Sequence, residues 1–283
     1  MTRALTPRDI DAFQRDGVVL IHGAFGPEWL SRLRAIVDSI LEEPGGFISD
    51  TGDQGRGAGR ALDARYLWRE NDAVRSFVFD SGVADLVGQA MGCEELRFYF
   101  DHWFVKEPGA KTSTPWHQDV SYWPFTGQQI ASLWLPLTEV DRASSGLELV
   151  KGSHRWGKCY KPRRFVASDQ KSDWIHDAEG ETLPDIEAER DRHDIFSEPM
   201  QPGDALIFSA WIIHAAPSNT SERTRAAVST RWLGDDVRWR PHPAADPSIR
   251  QEDLSIAPGE LARDDDVFPV VWMRTTPRFD KQS

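Results

Sequence analysis

The residues best equipped for chemistry lie in Trp116-His117-Gln118-Asp119 and, far downstream, in Ala210-Trp211-Ile212-Ile213-His214. His117 and Asp119 are two positions apart, so on an extended backbone their side chains leave the same face and can converge on one ion. His214 follows an apolar strand and a turn and offers a second imidazole. Two imidazoles and one carboxylate on one side of a metal form the facial arrangement that suits Fe(II), with open positions that invite oxygen chemistry. Arg225 comes eleven residues after His214, and on a strand it shares a face with Ala227 and Ser229, whose small side chains leave room beside the guanidinium. A buried arginine without an acidic neighbour needs an external carboxylate, and in this reading Asp119 is committed to the metal. Arg223 falls nearer the turn and reads as solvated. Taken singly these signals are weak: a His-x-Asp pair is commonly a local hydrogen bond, and His214 or Arg225 alone can be structural. Their order along the chain gives them weight.

The elements that must position these residues are mainly strands. Alternation predicts a strand over 96–105, with Leu96, Phe98, Phe100, His102 and Phe104 on one face and Arg97, Tyr99, Asp101 and Trp103 on the other. Further strands are expected over 130–137, 147–150, 204–209 and 224–233, separated by turn signals such as Pro108-Gly109, Ser145-Gly146 and Pro202-Gly203-Asp204. Many short strands without intervening helices argue for a sandwich or barrel. Ahead of them, Thr6-Pro7 starts a helix that stops at Gly17, 18–21 reads as a strand, and 27–43 carries a helical stripe of Leu30, Leu33, Ile36, Val37, Ile40 and Leu41. Short helices are expected over 71–79 and 82–91. The glycine-rich stretch 44–60 reads as a loop, and the charged, non-periodic stretch 155–198 as an insertion that closes over a ligand or is simply mobile surface. The whole is read as one domain over 1–283: a helical elaboration over 1–94, the strand-rich core over 95–234 with its insertion, and an extension over 235–283.

Composition narrows the function classes. Lys plus Arg number 33 against 45 Asp plus Glu, giving a net charge of −12, which disfavours nucleic acid and anionic membrane surfaces as partners. Gly55 and Gly57 do not open a dinucleotide fingerprint, since Arg60 occupies the third position. Cys93 and Cys159 supply no disulfide framework or thiolate zinc site, so any metal must use His and carboxylate. The charged first ten residues carry no signal-peptide pattern, and no run reaches bilayer length, so a cytoplasmic location is expected. The Asn219-Thr220-Ser221 acceptor triplet then has no bearing on function. The expected partner is a small molecule.

Trp116-His117-Gln118-Asp119 with Tyr122 and Pro124-Phe125, the run from Gly146 to His154, and His214 with Asn219 and Arg225 together resemble the phytanoyl-CoA dioxygenase family of Fe(II)/2-oxoglutarate oxygenases. The resemblance covers 6–233 at the level of element order. It implies a double-stranded β-helix, the jelly-roll or cupin-like core, mainly β with flanking helices. It further implies that His117, Asp119 and His214 bind iron and are the catalytic centre, and that Arg225 holds the distal carboxylate of 2-oxoglutarate. Trp134 matches a tryptophan lining the cosubstrate pocket, with core packing as the equal alternative. His102 is a cosubstrate or substrate contact, or else a hydrogen-bonded interior histidine. 2-Oxoglutarate would chelate the iron and O2 would take the last position, yielding succinate, CO2 and a hydroxylated small organic substrate. Two departures bear on this. Some relatives place a serine two residues after the distal histidine, where this chain has Ala216. Halogenating members lack the metal carboxylate, whereas Asp119 is present, which favours hydroxylation. The rival readings are a cupin-like metalloenzyme that does not use 2-oxoglutarate, such as an isomerase or hydrolase, and a catalytically silent jelly-roll binding module.

Overall fold

A computed structural model describes residues 4–42, 48–50, 59–163 and 178–274. Four helices are named here: α1 (Pro7–Asp16), α2 (Pro27–Glu42), α3 (Asp72–Asp80) and α4 (Val83–Met91). Thr6 opens α1 as a capping box, its hydroxyl accepting from Asp9 N while the Asp9 carboxylate accepts from Thr6 N, and Gly17 closes it at φ 76°. Asn71 caps α3 by accepting from the Ala73 and Val74 amides. The strands are β1 (Val18–Ile21), β2 (Ile48–Asp50), β3 (Ala61–Arg65), β4 (Glu95–Lys106), β5 (Thr114–His117), β6 (Phe125–Thr126) and β7 (Ile130–Pro136). Then come β8 (Glu148–Val150), β9 (Ile195–Phe196), β10 (Ala205–Ser209), β11 (His214–Ala216), β12 (Arg225–Leu233), β13 (Arg238–Trp239) and β14 (Val270–Met273).

Among the described residues the strands build an eight-stranded sheet in the order β1-β10-β7-β12-β4-β3-β2, with β14 also on β4, and a four-stranded sheet in the order β5-β11-β8-β9. The pairings in both sheets are antiparallel. Alternation decides what each face of the large sheet meets. Leu133, Leu135, Ile207, Val228 and Trp232 join a core with Phe13, Leu33, Ile36, Phe77 and Leu86 of the helices. The residues between them, Trp134, Leu206, Phe208 and Ala227, pack with Leu149 and Phe196 of the smaller sheet. This is the jelly roll with helices on the outside of its large sheet.

β4 departs from the simple alternation expected of it. Arg231 pairs with Phe100 but Trp232 pairs with Phe98, so Tyr99 is an extra residue and the strand carries a bulge. One inserted residue exchanges the two faces. Leu96 and Phe98 therefore lie with Trp103 and Val105 on the helix side, while His102, Phe104 and Lys106 face the cavity between the sheets. The glycine-rich stretch is likewise not wholly loop, because Ile48–Asp50 pairs with β3; residues 43–47 and 51–58 lie outside the described part. The insertion ends in a strand, since Ile195–Phe196 extends the smaller sheet beside β8; its residues 164–177 lie outside the described part. Lys158, at the start of the insertion, pairs with Glu181 at 2.7 Å. Asn219 is buried, and its amide donates to the carbonyls of Lys106, Glu107 and Arg223, tying the end of β4 to the turn that starts β12.

Candidate metal centre and its anion pocket

β5 ends at His117 and β11 begins at His214, and the two residues are register partners with ring centroids 4.1 Å apart. The Nδ1 atoms of His117 and His214 lie 2.8 Å from Pro115 O and 3.1 Å from Ile212 O. A carbonyl only accepts, so each imidazole keeps its proton on Nδ1 and presents the Nε2 lone pair. Gln118 is extended, and Asp119 opens the short 3-10 turn Asp119–Tyr122, which swings its carboxylate against the rings. Oδ1 of Asp119 is 3.5 Å from His117 Nε2 and 3.7 Å from His214 Nε2. All three residues are buried, and their ligand atoms lie within 4.8 Å of one another.

The surroundings set charge states that a metal needs. Burial, reinforced by the neighbouring His117, pulls the His214 imidazole down to about 3, so it is neutral and ready to coordinate at ordinary pH. Burial alone would raise the Asp119 carboxyl, but the charges facing it, the Arg231 cation foremost, overcome it and hold the group well below the usual range. Asp119 Oδ2 accepts from Ser132 Oγ at 3.2 Å and lies 3.7 Å from Arg231 Nε. Gln118 faces away from the metal ligands. Its amide donates to Trp211 O and Lys158 O, and its carbonyl accepts from Tyr160 N, fixing the motif to the start of the insertion and to the turn ahead of β11.

Arg225, at the start of β12, lines the same cavity and is 3% exposed. Its Nε and Nη1 have no hydrogen-bond partner, and among the described residues it forms no ion pair. Burial pulls the guanidinium down to about 10, the direction expected of a cation lacking its counter-charge. Trp134 lies on the cavity wall with its ring 6.0 Å from the guanidinium carbon. His102 also lines the cavity; its Nε2 is 3.3 Å from Asp63 Oδ2, and its ring centroid is 3.9 Å from that of Phe104. Arg223 pairs with Glu139 and Asp141 in the open, in keeping with its expected solvation.

The donor set fits iron, and the unpaired guanidinium fits the far carboxylate of a dicarboxylate chelator. Four further residues of the site were not foreseen: Lys106 and Arg231 on the cavity wall, Ser132 against Asp119 and Ser145 against Arg225. Arg231 is an even number of residues from Arg225 on β12, and Lys106 stands at the same parity as His102 on β4, so strand alternation was the available signal. Ser132 and Ser145 depend on sheet register and turn geometry, which short-range sequence does not carry.

The sequence profile of the phytanoyl-CoA dioxygenase (PhyH) family matches residues 13–227. The chain is 33% identical over 168 residues to the 1-deoxypentalenic acid 11-beta-hydroxylase of Streptomyces exfoliatus, covering 58% of this chain and spanning about half, 52%, of that protein. It is 29% identical over 242 residues to a probable phytanoyl-CoA dioxygenase of Caenorhabditis elegans, covering 80% of this chain and 74% of the relative. In fold it is similar to the non-heme alpha ketoglutarate dependent carbocyclase SnoK from nogalamycin biosynthesis, with TM-score 0.72, 21% identity and coverage of 95% and 97% of the two chains. It is also similar to EctD from S. alaskensis, solved with 2-oxoglutarate and 5-hydroxyectoine, at TM-score 0.68, 18% identity and coverage of 93% and 88%. With the profile spanning most of the jelly roll and both histidine-bearing strands, the chain belongs to the phytanoyl-CoA dioxygenase family.

Proposed function

We propose that the protein is a non-haem Fe(II)/2-oxoglutarate-dependent dioxygenase that hydroxylates a small organic substrate and releases succinate and CO2. The observation that carries this reading is the unpaired, buried Arg225 guanidinium in the same cavity as the His117, Asp119 and His214 ligand atoms. A Lewis-acid isomerase or hydrolase needs the metal ligands but has no use for a desolvated cation awaiting a second carboxylate. When bound, the iron and 2-oxoglutarate together supply O2 activation, with the cosubstrate oxidised to succinate.

The chain's own residues do the rest. His117, Asp119 and His214 hold the metal; Arg225 fixes the distal carboxylate, and Trp134 walls that end of the cavity. His102, held by Asp63, presents an imidazole on the wall near the metal ligands and serves as a polar contact for cosubstrate or substrate. Phe104, Leu147 and Phe208 line the cavity with apolar surface, which excludes water and orients a C–H bond. Asp119 occupies the position that a halide would need, so hydroxylation is the favoured outcome. Relatives named as hydroxylases and dioxygenases agree with this assignment, and small molecules are the substrate class it implies. Among the described residues no helix is long and apolar enough to cross a membrane.

The test is anaerobic addition of Fe(II) and then 2-oxoglutarate to the purified full chain, followed through the visible charge-transfer band of the chelate. The band is expected in the wild type, absent in His117→Ala, Asp119→Ala and His214→Ala, and weakened in Arg225→Met. Iron binding without a band would instead favour a metalloenzyme that does not use 2-oxoglutarate. Failure of any metal to bind would leave only a jelly-roll binding module.

A further inference from the structure

We propose that Lys106 and Ser145 complete the distal-carboxylate subsite, so that this chain grips the far end of 2-oxoglutarate with two cations joined through one hydroxyl. The inference rests on the oxygenase reading above and assigns residues that the family pattern does not. Lys106 Nζ donates to Ser145 Oγ at 2.9 Å and to Pro217 O at 3.1 Å. Arg225 Nη2 donates to the same Ser145 Oγ at 3.2 Å, and that hydroxyl donates in turn to Pro217 O at 2.5 Å. One hydroxyl has one hydrogen and two lone pairs, so Ser145 is fully engaged and holds both cations in register.

The cluster has the properties of an anion site awaiting its anion. Lys106 and Arg225 are 6% and 3% exposed, Ser145 is fully buried, and among the described residues neither cation forms an ion pair. Burial, and next the Arg225 charge, pushes the Lys106 ammonium well below the usual lysine range. Two desolvated cations sharing a hydroxyl repel each other until a carboxylate lies between them. Both line the cavity that holds the metal ligands, and so does Ala216, which offers no hydroxyl. Ser145 reaches the site from a left-handed backbone conformation, φ 70°, that residues other than glycine seldom adopt, in the turn held by Asp141 and Ser144. The hydroxyl in the turn before β8 therefore acts by holding the two cations in register, its own hydrogen being committed to Pro217 O.

The test uses the full chain with Fe(II) under anaerobic conditions and compares two chelators through the charge-transfer band. One is 2-oxoglutarate; the other is 2-oxobutyrate, which keeps the keto acid and lacks the distal carboxylate. Lys106→Met is expected to raise the dissociation constant of 2-oxoglutarate by at least about tenfold, the factor that one charge-assisted hydrogen bond is worth. The value for 2-oxobutyrate should stay unchanged. Ser145→Ala, which keeps the backbone but removes the bridge, should weaken 2-oxoglutarate alone by a smaller factor, and it carries the test should Lys106→Met fail to fold. Equal weakening of both chelators would show a merely structural role and overturn the proposal. So would unchanged 2-oxoglutarate affinity in the variants while Arg225→Met loses it. If Arg225→Met also left 2-oxoglutarate affinity intact, the oxygenase reading would fall with it.

Discussion

Asp119 divides its two oxygens between two tasks. Oδ1 faces the imidazoles, and Oδ2 is held by Ser132 of β7 and Arg231 of β12, both on the opposite sheet. A carboxylate held this way would present one oxygen to an ion and keep the other engaged, which would leave coordination positions for a chelator and O2. Arg231 is itself buried, with its Nη1 donating to Ser229 Oγ and its guanidinium against Phe100 and Trp123. Arg231→Met is expected to weaken metal binding by about 10- to 100-fold, the usual effect of removing an outer partner of a ligand, and Ser132→Ala by less. Anaerobic titration with Fe(II) measures both, and unchanged affinity in the pair would show that Asp119 needs no such support.

At the scale of the element, β4 shows how one residue redirects a site. The bulge at Tyr99 turns the strand's second half so that His102, Phe104 and Lys106 reach the cavity, and it leaves Asp101 on the other face, wholly buried. The Asp101 carboxylate accepts from Leu67 N, Trp68 N and Trp103 Nε1, so it pins the short turn after β3 to the strand. Burial outweighs these donors and raises its pKa to about 6. A carboxyl whose folded pKa lies above its unfolded value binds its proton more tightly in the native state, so its stabilisation is present at low pH and is lost as pH rises toward 6. Relative to Asp101→Asn, the wild type should therefore lose stability as pH climbs from about 4 to about 6, by at most on the order of 3 kcal/mol. Urea denaturation of both proteins at several pH values checks this; a flat difference would mean that the three donors keep Asp101 ionised throughout. The bulge also marks the limit of sequence reading. Alternation along 96–105 identified the strand, but a single inserted residue leaves no local signature, so Phe98 and His102 were expected on one face and lie on two.

At the scale of the molecule, the candidate site is assembled across both sheets. His117 and His214 belong to the smaller sheet, and the residues clasping Asp119 belong to the larger one. An ion held by the three ligands therefore stabilises the apposition of the two layers and not one strand pair. Mn(II) at a hundredfold excess over its dissociation constant is expected to add about 2.7 kcal/mol of stability, and none in His117→Ala. A thermal or urea melt with and without the ion reads this directly, and an absent shift in the wild type would remove the metal assignment. The convergence of His117, Asp119 and His214, with Arg225 buried in the same cavity, was legible in the sequence because each sits in a short, patterned segment. Lys106, Ser145, Ser132 and Arg231 were not, because their meaning depends on which strands lie side by side. That order is set by long-range pairing, such as β12 between β4 and β7.

Gln118 shows what this architecture asks of a residue that touches neither metal nor cavity. It stands between two ligands in sequence, yet its three hydrogen bonds go to the backbone of Lys158, Tyr160 and Trp211. In a mutational scan, position 118 would register as intolerant, and proximity to the metal would be the natural explanation. The hydrogen bonds there moor the start of the insertion to the turn ahead of β11, so a substitution at 118 would loosen that mooring before it altered whether iron is held.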